Sequence, residues 1–437
     1  MFIKESIIPK ELSTEKNAKD NFWDSLARKG VIAKFHKIQE GRLIVCDEEE
    51  TFSFGNITAD FPISSTIKIL DPRMYSEIAS KGLNGAAEAY VNGWWECDDL
   101  TSLVRIFVRN RHMAENMEGG LANIASWLFI LQHSFRKNSR QNSLKNISAH
   151  YDLGNEFFST FLDDTKMYSC GIYESENSSL QEASIEKLDR ICQKLELCPD
   201  DHILEIGTGW GGFALHAARE YGCRITTTTI SQKQFDYARH KISEAGLNHR
   251  VEVIKKDYRD LTGHYDKLVT IEMIEAVGYQ YYQEFFNKCG DLLRPSGSML
   301  LQGIIIVDNL YEESKDFADF IKTYIFPGSC IPSISALCDS AAKTTDMRLF
   351  HLEDITPHYA RTLNDWRKSF MRNIQQIRDQ GFSESFIRLW NFYFCYCEGG
   401  FLERQIGDVQ MLFTKPLCRM DPILPKLNDQ LTQVQAS

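Results

Sequence analysis

"LEIGTGWGGFALHAARE", residues 204–220, places Gly207, Gly209, Gly211 and Gly212 between an apolar run and an amphipathic one. Glycines between a strand and a helix let the chain turn tightly and let a ligand lie against main-chain N–H groups at a helix start. The spacing alone leaves the ligand open, since GxGxG also begins dinucleotide sites. The acid narrows the choice. Glu205 stands ahead of the glycines, at the end of the strand, whereas a dinucleotide fingerprint wants GxGxxG and an acid closing the next strand. Here that strand, "RITTTTI" (224–230), ends without one.

Working outward, β-branched runs alternate with helical patterns. "HILEI" (202–206), "RITTTTI", "VEVIKKD" (251–257), "DKLVTIEMI" (266–274) and "SMLLQGIIIV" (298–307) are separated by stretches such as "QKQFDYARHKISEAG" (232–246). This predicts a doubly wound α/β sheet. Residues from about 310 to 400 read as a mostly helical insertion, followed by a last strand, "VQMLFTK" (409–415). Residues 1–110 read as a small α+β unit. It has two strands in "RLIVCDEEETFSFG" (42–55) and a helix in "DPRMYSEIASKG" (71–82), capped by Asp71 with Pro72 at its first position. The expected division is therefore 1–110, a linker over 111–145, and a larger domain over 146–437.

Composition excludes several classes. A net charge of −11 argues against general nucleic-acid binding. No apolar run is long enough to span a bilayer, and "MFIKESIIPKEL" lacks the apolar core of a secretory signal. Twelve cysteines without zinc-type spacing read as reduced thiols in a cytoplasmic protein without a metal site. The charge is uneven, however. Residues 101–150 carry seven Arg/Lys against Glu115 and Glu118, and include the apolar "LANIASWLFIL" (121–131). Such a segment suits either an anionic membrane surface or a solvated helix pair between domains.

The ExGxGxG turn resembles the S-adenosylmethionine (SAM) site of Rossmann-like class I methyltransferases. Further stretches converge on one family within that fold: "HYDLGNEFFSTFLDDTKMYSCGIYE" (150–174), "TISQKQ" (229–234), "KDYRDL" (256–261), "IEAVG" (274–278) and "YIFPGSCIPS" (324–333). They are similar to cyclopropane fatty acid synthases and relatives that methylate unsaturated acyl chains. "AYVNGWWECDDLTSL" (89–103) extends the resemblance more weakly into the N-terminal unit, which it implies is a sterol-carrier-like, lipid-associating domain.

The resemblance implies transfer of a methylene group from SAM to the cis double bond of an acyl chain in a phospholipid, through a carbocation. It implies a peripheral position on the inner face of the cell membrane, and a possible homodimer. An isolated alkene is a poor nucleophile, so the pocket must exclude water, offer aromatic faces to the cation, and hold a base. In the family a bicarbonate ion is understood to be that base. Carried over residue by residue, its binding set is Cys170, Glu275, Ile304 and Tyr359, with Gln302 where the family has His. A Gln amide donates a hydrogen bond but cannot carry charge or shuttle a proton. The departure leaves two products open: a cyclopropane, or a methyl- or methylene-branched chain. A small-molecule N- or C-methyltransferase is the rival class. The implied SAM contacts are Tyr168, Ser169, Gly207, Gly209, Thr229, Ile230, Gln234, Tyr258 and Arg259.

Other candidates have plainer readings. Glu272 reads as an acid that caps or pairs, and the aromatic run "RLWNFYFCYC" (388–397) as core. Tyr324 and Phe326 read as acyl-pocket lining, and His150 and His351 as structural.

Overall fold

The structure, a computed structural model, describes residues 22–48, 50–111, 153–317 and 319–424. Of the basic segment 101–150, residues 101–111 are described, and Arg105 and Arg109 there pair with Glu403. Its remainder, with the apolar stretch 121–131, His150 and the expected linker beyond Arg111, lies outside the described residues.

Strands β1 (Arg42–Asp47) and β2 (Glu50–Phe54) form the hairpin expected around the acidic turn. With β3 (Ser64–Ile69) and β4 (Trp95–Cys97) they make a sheet ordered β2-β1-β3-β4, in which β1 and β3 run parallel. The Arg73–Lys81 helix lies where its signals put it, shifted by one residue. Pro72 is the capping residue, and the Asp71 carboxylate instead accepts the N–H of Arg73 at 2.9 Å.

The larger sheet contains β5 (His202–Ile206), β6 (Arg224–Thr229), β7 (Val251–Lys255), β8 (Tyr265–Ile271), β9 (Leu293–Ile306), β10 (Arg348–Asp354) and β11 (Ile406–Thr414). Their order is β10-β11-β9-β8-β5-β6-β7. β11 runs antiparallel to both neighbours, while the pairs from β9 to β7 are parallel. Chain order reverses at β5, which lies between β6 and β8, and open α/β sheets bind ligands beyond the carboxyl ends of their strands at such a point. The Gly212–Glu220 helix starts there, from Gly211 at φ 91°. That left-handed conformation disfavours a side chain.

β10 corrects the expectation of a helical 310–400 region. "RLFHLED" is half-buried and has charges at both ends, so it lacks the apolar run of the central strands. Its partner, β11, lies far along the chain, and edge pairing of that kind leaves little local signal.

One apolar core runs from the N-terminal unit through Phe157, Phe158 and Phe161 to the Glu384–Leu402 helix. Trp390 is its hub, with its ring 4.7 Å from that of Phe157, and truncation to Ala would cost about 3–5 kcal/mol. Polar clasps fix the N-terminal unit on the same helix. Arg388 donates to the carbonyls of Tyr90 (2.5 Å) and Trp95 (2.8 Å), and Arg105 pairs with Glu403 at 2.6 Å. No helix among the described residues is long and apolar enough to cross a membrane.

Candidate active site

Two cavities open beyond the carboxyl ends of the central strands. The smaller, about 170 Å³, lies over the glycine turn. All nine residues expected at the cofactor face it. Tyr168 and Ser169 come from the segment before β5, and Gly207 and Gly209 from the turn. Thr229, Ile230 and Gln234 follow β6, and Tyr258 and Arg259 follow β7. Gly209 sits at φ 52° with open space where a Cβ would stand, so bare backbone forms that wall. The N–H groups of Gly207 and Thr208 both donate to the Thr228 carbonyl at 3.0 Å, tying β5 to β6 rather than serving a ligand. Gln234 Oε1 accepts from Thr229 Oγ1 at 2.9 Å, which leaves its NH₂ as the donor for a ligand. Glu205 also faces this cavity and accepts the Thr227 hydroxyl at 2.6 Å, while burial pushes its pKa up to about 8.

The larger cavity, about 450 Å³, has predominantly apolar walls. One side comes from the N-terminal unit, including Ile67, Met74, Ile78 and Phe107. The facing side includes Phe320, Phe326, Phe392 and Tyr396. The aromatic run 388–397 therefore does two jobs, since Trp390 and Phe394 are core while Phe392, Tyr393 and Tyr396 also line the cavity. Tyr324 departs from its expected lining role, because its hydroxyl reaches across to Glu88 and clamps the N-terminal unit. The two cavities share Tyr168, Glu272 and Ala276.

At that junction stands Glu272, just past β8, at a left-handed φ of 48°. A non-glycine residue there costs about 1–3 kcal/mol unless its surroundings hold it. They do. Its Oε1 accepts from Cys170 N (2.8 Å) and Gln302 Nε2 (3.0 Å), and its Oε2 accepts the Tyr359 hydroxyl. Three of the five residues expected to be catalytic thus converge on Glu272. The contribution of Cys170 is its backbone N–H, since burial raises its thiol well above the ordinary range. The other two pair separately: Ile304 N donates to Glu275 Oε1, while Glu275 Oε2 has no protein partner among the described residues. Burial, then the charge of Glu272, push the Glu275 pKa up to about 8.

A third acid, Asp408 on β11, completes the cluster. Its Oδ2 accepts from Gln302 Nε2 at 2.9 Å, and its Oδ1 has no hydrogen-bond partner among the described residues. Burial and the charges of Glu272 and Glu275 raise Asp408 well above the carboxylate range. Burial leaves Glu272 raised too, but donors from Tyr359 and Cys170 offset part of that rise, and Asp408 is the one pushed well above its ordinary value. Three donors against one make Glu272 the ionised member and Asp408 the proton holder. Lys187, fully buried, donates to Ser169 Oγ at 2.7 Å and supplies the nearby positive charge.

A chain of contacts fixes the Gln302 amide. Lys194 Nζ donates to Gln410 Oε1 (2.7 Å), and Gln410 Nε2 donates to Gln302 Oε1 (3.1 Å) across the β9–β11 register. An ammonium only donates, so each amide is oriented in turn and Gln302 must present its NH₂ to the two acids. Lys194 is itself anchored by Glu353 at 2.6 Å. Burial opposes ionisation of Glu353, but hydrogen bonds from Arg190 and Lys194 outweigh it and hold its pKa at about 2.

Sequence reasoning passed over Glu272 as a cap or a simple pair and did not consider Asp408. A clue was present in "IEMIE" (271–275): two acids directly after an apolar strand, where carboxylates are costly to bury without partners. Among the described residues His351 has no hydrogen-bond partner at Nε2, and it lines neither cavity.

Comparison with known proteins follows the same lines. The model of the mycolic acid cyclopropane synthetase family matches residues 138–411. The tuberculostearic acid methyltransferase of Mycobacterium tuberculosis is 35% identical over 74% of this chain and 77% of its own length. The cyclopropane-fatty-acyl-phospholipid synthase of Escherichia coli is 31% identical over 84% of this chain and 92% of its own. The solved mycolic acid cyclopropane synthase CmaA1, complexed with SAH and CTAB, is 30% identical, with a TM-score of 0.59, covering 62% of this chain and 98% of that one. Coclaurine N-methyltransferase, at 21% identity and a TM-score of 0.59, covers 76% of this chain and 99% of its own and shares the fold.

Proposed function

The chain belongs to the mycolic acid cyclopropane synthetase family of SAM-dependent methyltransferases, and on that premise we propose that it alkylates the cis double bond of an unsaturated fatty acyl chain carried by a phospholipid, closing a cyclopropane ring. The observation that carries this reading is the junction at Tyr168, Glu272 and Ala276, where the cavity of the expected cofactor meets a larger apolar one. SAM supplies an electrophilic methyl group when bound. The residues around the glycine turn would hold it, with the Gln234 amide doing the work for which a carboxylate after β6 is missing.

The chain's own groups supply the remainder. The apolar walls exclude water from a cationic acyl chain. Tyr168, Phe326, Tyr359 and Tyr393 line the same cavity near the junction, and each aromatic face within reach of the cation contributes about 0.5–2 kcal/mol. Arg111, at the end of the described N-terminal unit, lines the larger cavity and suits a lipid phosphate. This supports peripheral contact with a membrane surface, and the N-terminal unit serves as one wall of the acyl site.

A second reading, a methylene- or methyl-branched product, is favoured by Gln302 in place of His and by the similarity to a tuberculostearic acid methyltransferase. Both products arise from one cation. The test is incubation with SAM and vesicles of mixed unsaturated phospholipids, followed by mass spectrometry of the acyl chains. A gain of one CH₂ unit that resists mild hydrogenation is the expected ring, and the same gain with uptake of hydrogen is a methylene branch. No gain on any lipid overturns the reading, and methylation of small amines instead would support the rival class.

A further inference from the structure

The groups that the resemblance assigns to a bicarbonate ion are already engaged. Gln302 Nε2, Tyr359 Oη and Cys170 N all donate to one acceptor, the Glu272 carboxylate. An anion placed beside them would compete with the ionised Glu272 carboxylate for those same donors and sit directly against its charge, and like charges in a buried site disfavour one another. The residues present therefore do not fit bicarbonate. We propose that Glu272 takes the place of the external anion and is itself the base that removes the proton from the transferred carbon. This rests on the acyl-alkylating function proposed above.

Geometry supports it in three ways. Glu272 lines both cavities, so its carboxylate stands where the methyl donor and the acyl chain would meet. Its donors come from three separate elements: the segment before β5, strand β9 and the Thr356–Arg372 helix. They hold it ionised and aimed. Finally, the backbone keeps a glutamate at φ 48°, a conformation glycine would adopt without strain. A position that bears such a cost and buries a carboxylate is held for what the carboxylate does.

The step balances. Once the methyl group has joined one alkene carbon, the other carries the positive charge. Glu272 accepts a proton from the new methyl group, and the C–H electron pair becomes the third C–C bond of the ring. For a branched product a hydride first shifts between the two alkene carbons, and the same pair becomes the second bond of a methylene. Glu272 is left as a neutral acid and returns its proton to water as the product leaves.

The test compares full-length wild type with two variants. Wild type in carbon-dioxide-free buffer should turn over at the same rate with and without added bicarbonate, and a rate that disappears on depletion overturns the proposal. Glu272→Gln should lower kcat by about 10²–10⁴-fold, as loss of a general base does, while still binding S-adenosylhomocysteine by calorimetry. Its isotope effect with methyl-deuterated SAM should rise above that of wild type, because proton loss becomes limiting. A variant with the wild-type rate and isotope effect overturns the proposal. Should Glu272→Gln fail to fold, Glu272→Gly relieves the backbone strain and opens space among the same three donors. It should be as slow as expected for the amide, and bicarbonate or formate should restore rate with saturation. The wild-type rate without any added anion would overturn the proposal. If wild type yields no alkylated lipid with or without bicarbonate, the proposed function itself has failed, whereas product that appears only with bicarbonate contradicts the Glu272 assignment alone.

Discussion

The cavity over the glycine turn and the acid cluster are neighbours that share Glu272, yet the chain builds them differently. The first is centred on a local construction, the glycine turn and the loops after β6 and β7 within residues 205–259, and is closed by residues 166–169 and by the end of β8 with the turn after it, from Ile271 to Val277. The second is assembled from Cys170, Glu272, Gln302, Tyr359 and Asp408, on five separate segments. The first is a shape held by backbone, and the second is a balance of charge held by side chains. A substitution should therefore fail differently in each, by loss of binding in one and loss of rate in the other.

Apart from replacement of Glu272 itself, the largest effect is expected at the turn. Gly209→Val puts a branched side chain at φ 52° into open cavity space, and S-adenosylhomocysteine affinity should fall by about 100-fold or more in calorimetry. Unchanged affinity would show that the cofactor does not lie there. In the cluster, Tyr359→Phe removes one donor to an ionised acceptor. Such a bond is worth about 1.5–3 kcal/mol, so kcat should fall about ten- to a hundredfold with cofactor affinity preserved. Loss of affinity as large as the loss of rate would break the distinction between the two regions.

The contrast also explains what the sequence made legible. The glycine turn and the strand–helix alternation were readable because each signal is local and its period matches its element, whereas the nine residues that line the cavity over the turn were carried over from the family resemblance. The acid cluster was not. Glu272 and Asp408 are far apart in sequence, and each alone looks like an ordinary acid at a strand. Only the β9–β11 register brings Gln302 opposite Gln410, and so within reach of Lys194. β10 was missed for a related reason, since its pairing with β11 supplies what its own residues do not. The departure at Gln302 was visible. Its meaning was not, because the groups it bonds lie on other strands.

Smaller effects sharpen the second half of the comparison. Lys194→Met frees the Gln410 amide to flip and with it the Gln302 NH₂, so kcat should fall about tenfold, the equivalent of about one neutral hydrogen bond, while the KM for SAM stays put. A wild-type kcat would remove Lys194 from the positioning chain.

The smallest effects are on stability against pH, with opposite signs at two acids. Glu275, raised in the folded state from 4.5 to about 8, keeps its proton where the unfolded chain has lost it. Its contribution is full below about pH 4.5 and lost as pH rises through about 8, with a slope of at most about 1.4 kcal/mol per pH unit. Glu353, lowered from 4.5 to about 2, contributes above pH 4.5 and loses that contribution as pH falls toward 2. Denaturant unfolding across pH should show Glu275→Gln flattening the neutral limb and Glu353→Gln flattening the acid limb. Parallel curves for wild type and either variant would contradict the corresponding assignment.

The most direct test of the account follows the transferred carbon itself. With methyl-deuterated SAM and unsaturated phospholipid vesicles, the acyl product should have lost a single deuteron from the transferred group and kept the others, because a base beside the junction of the two cavities removes it. A product that keeps every deuteron would mean simple methyl transfer with no proton loss from the new carbon, and would contradict the central role given to that junction.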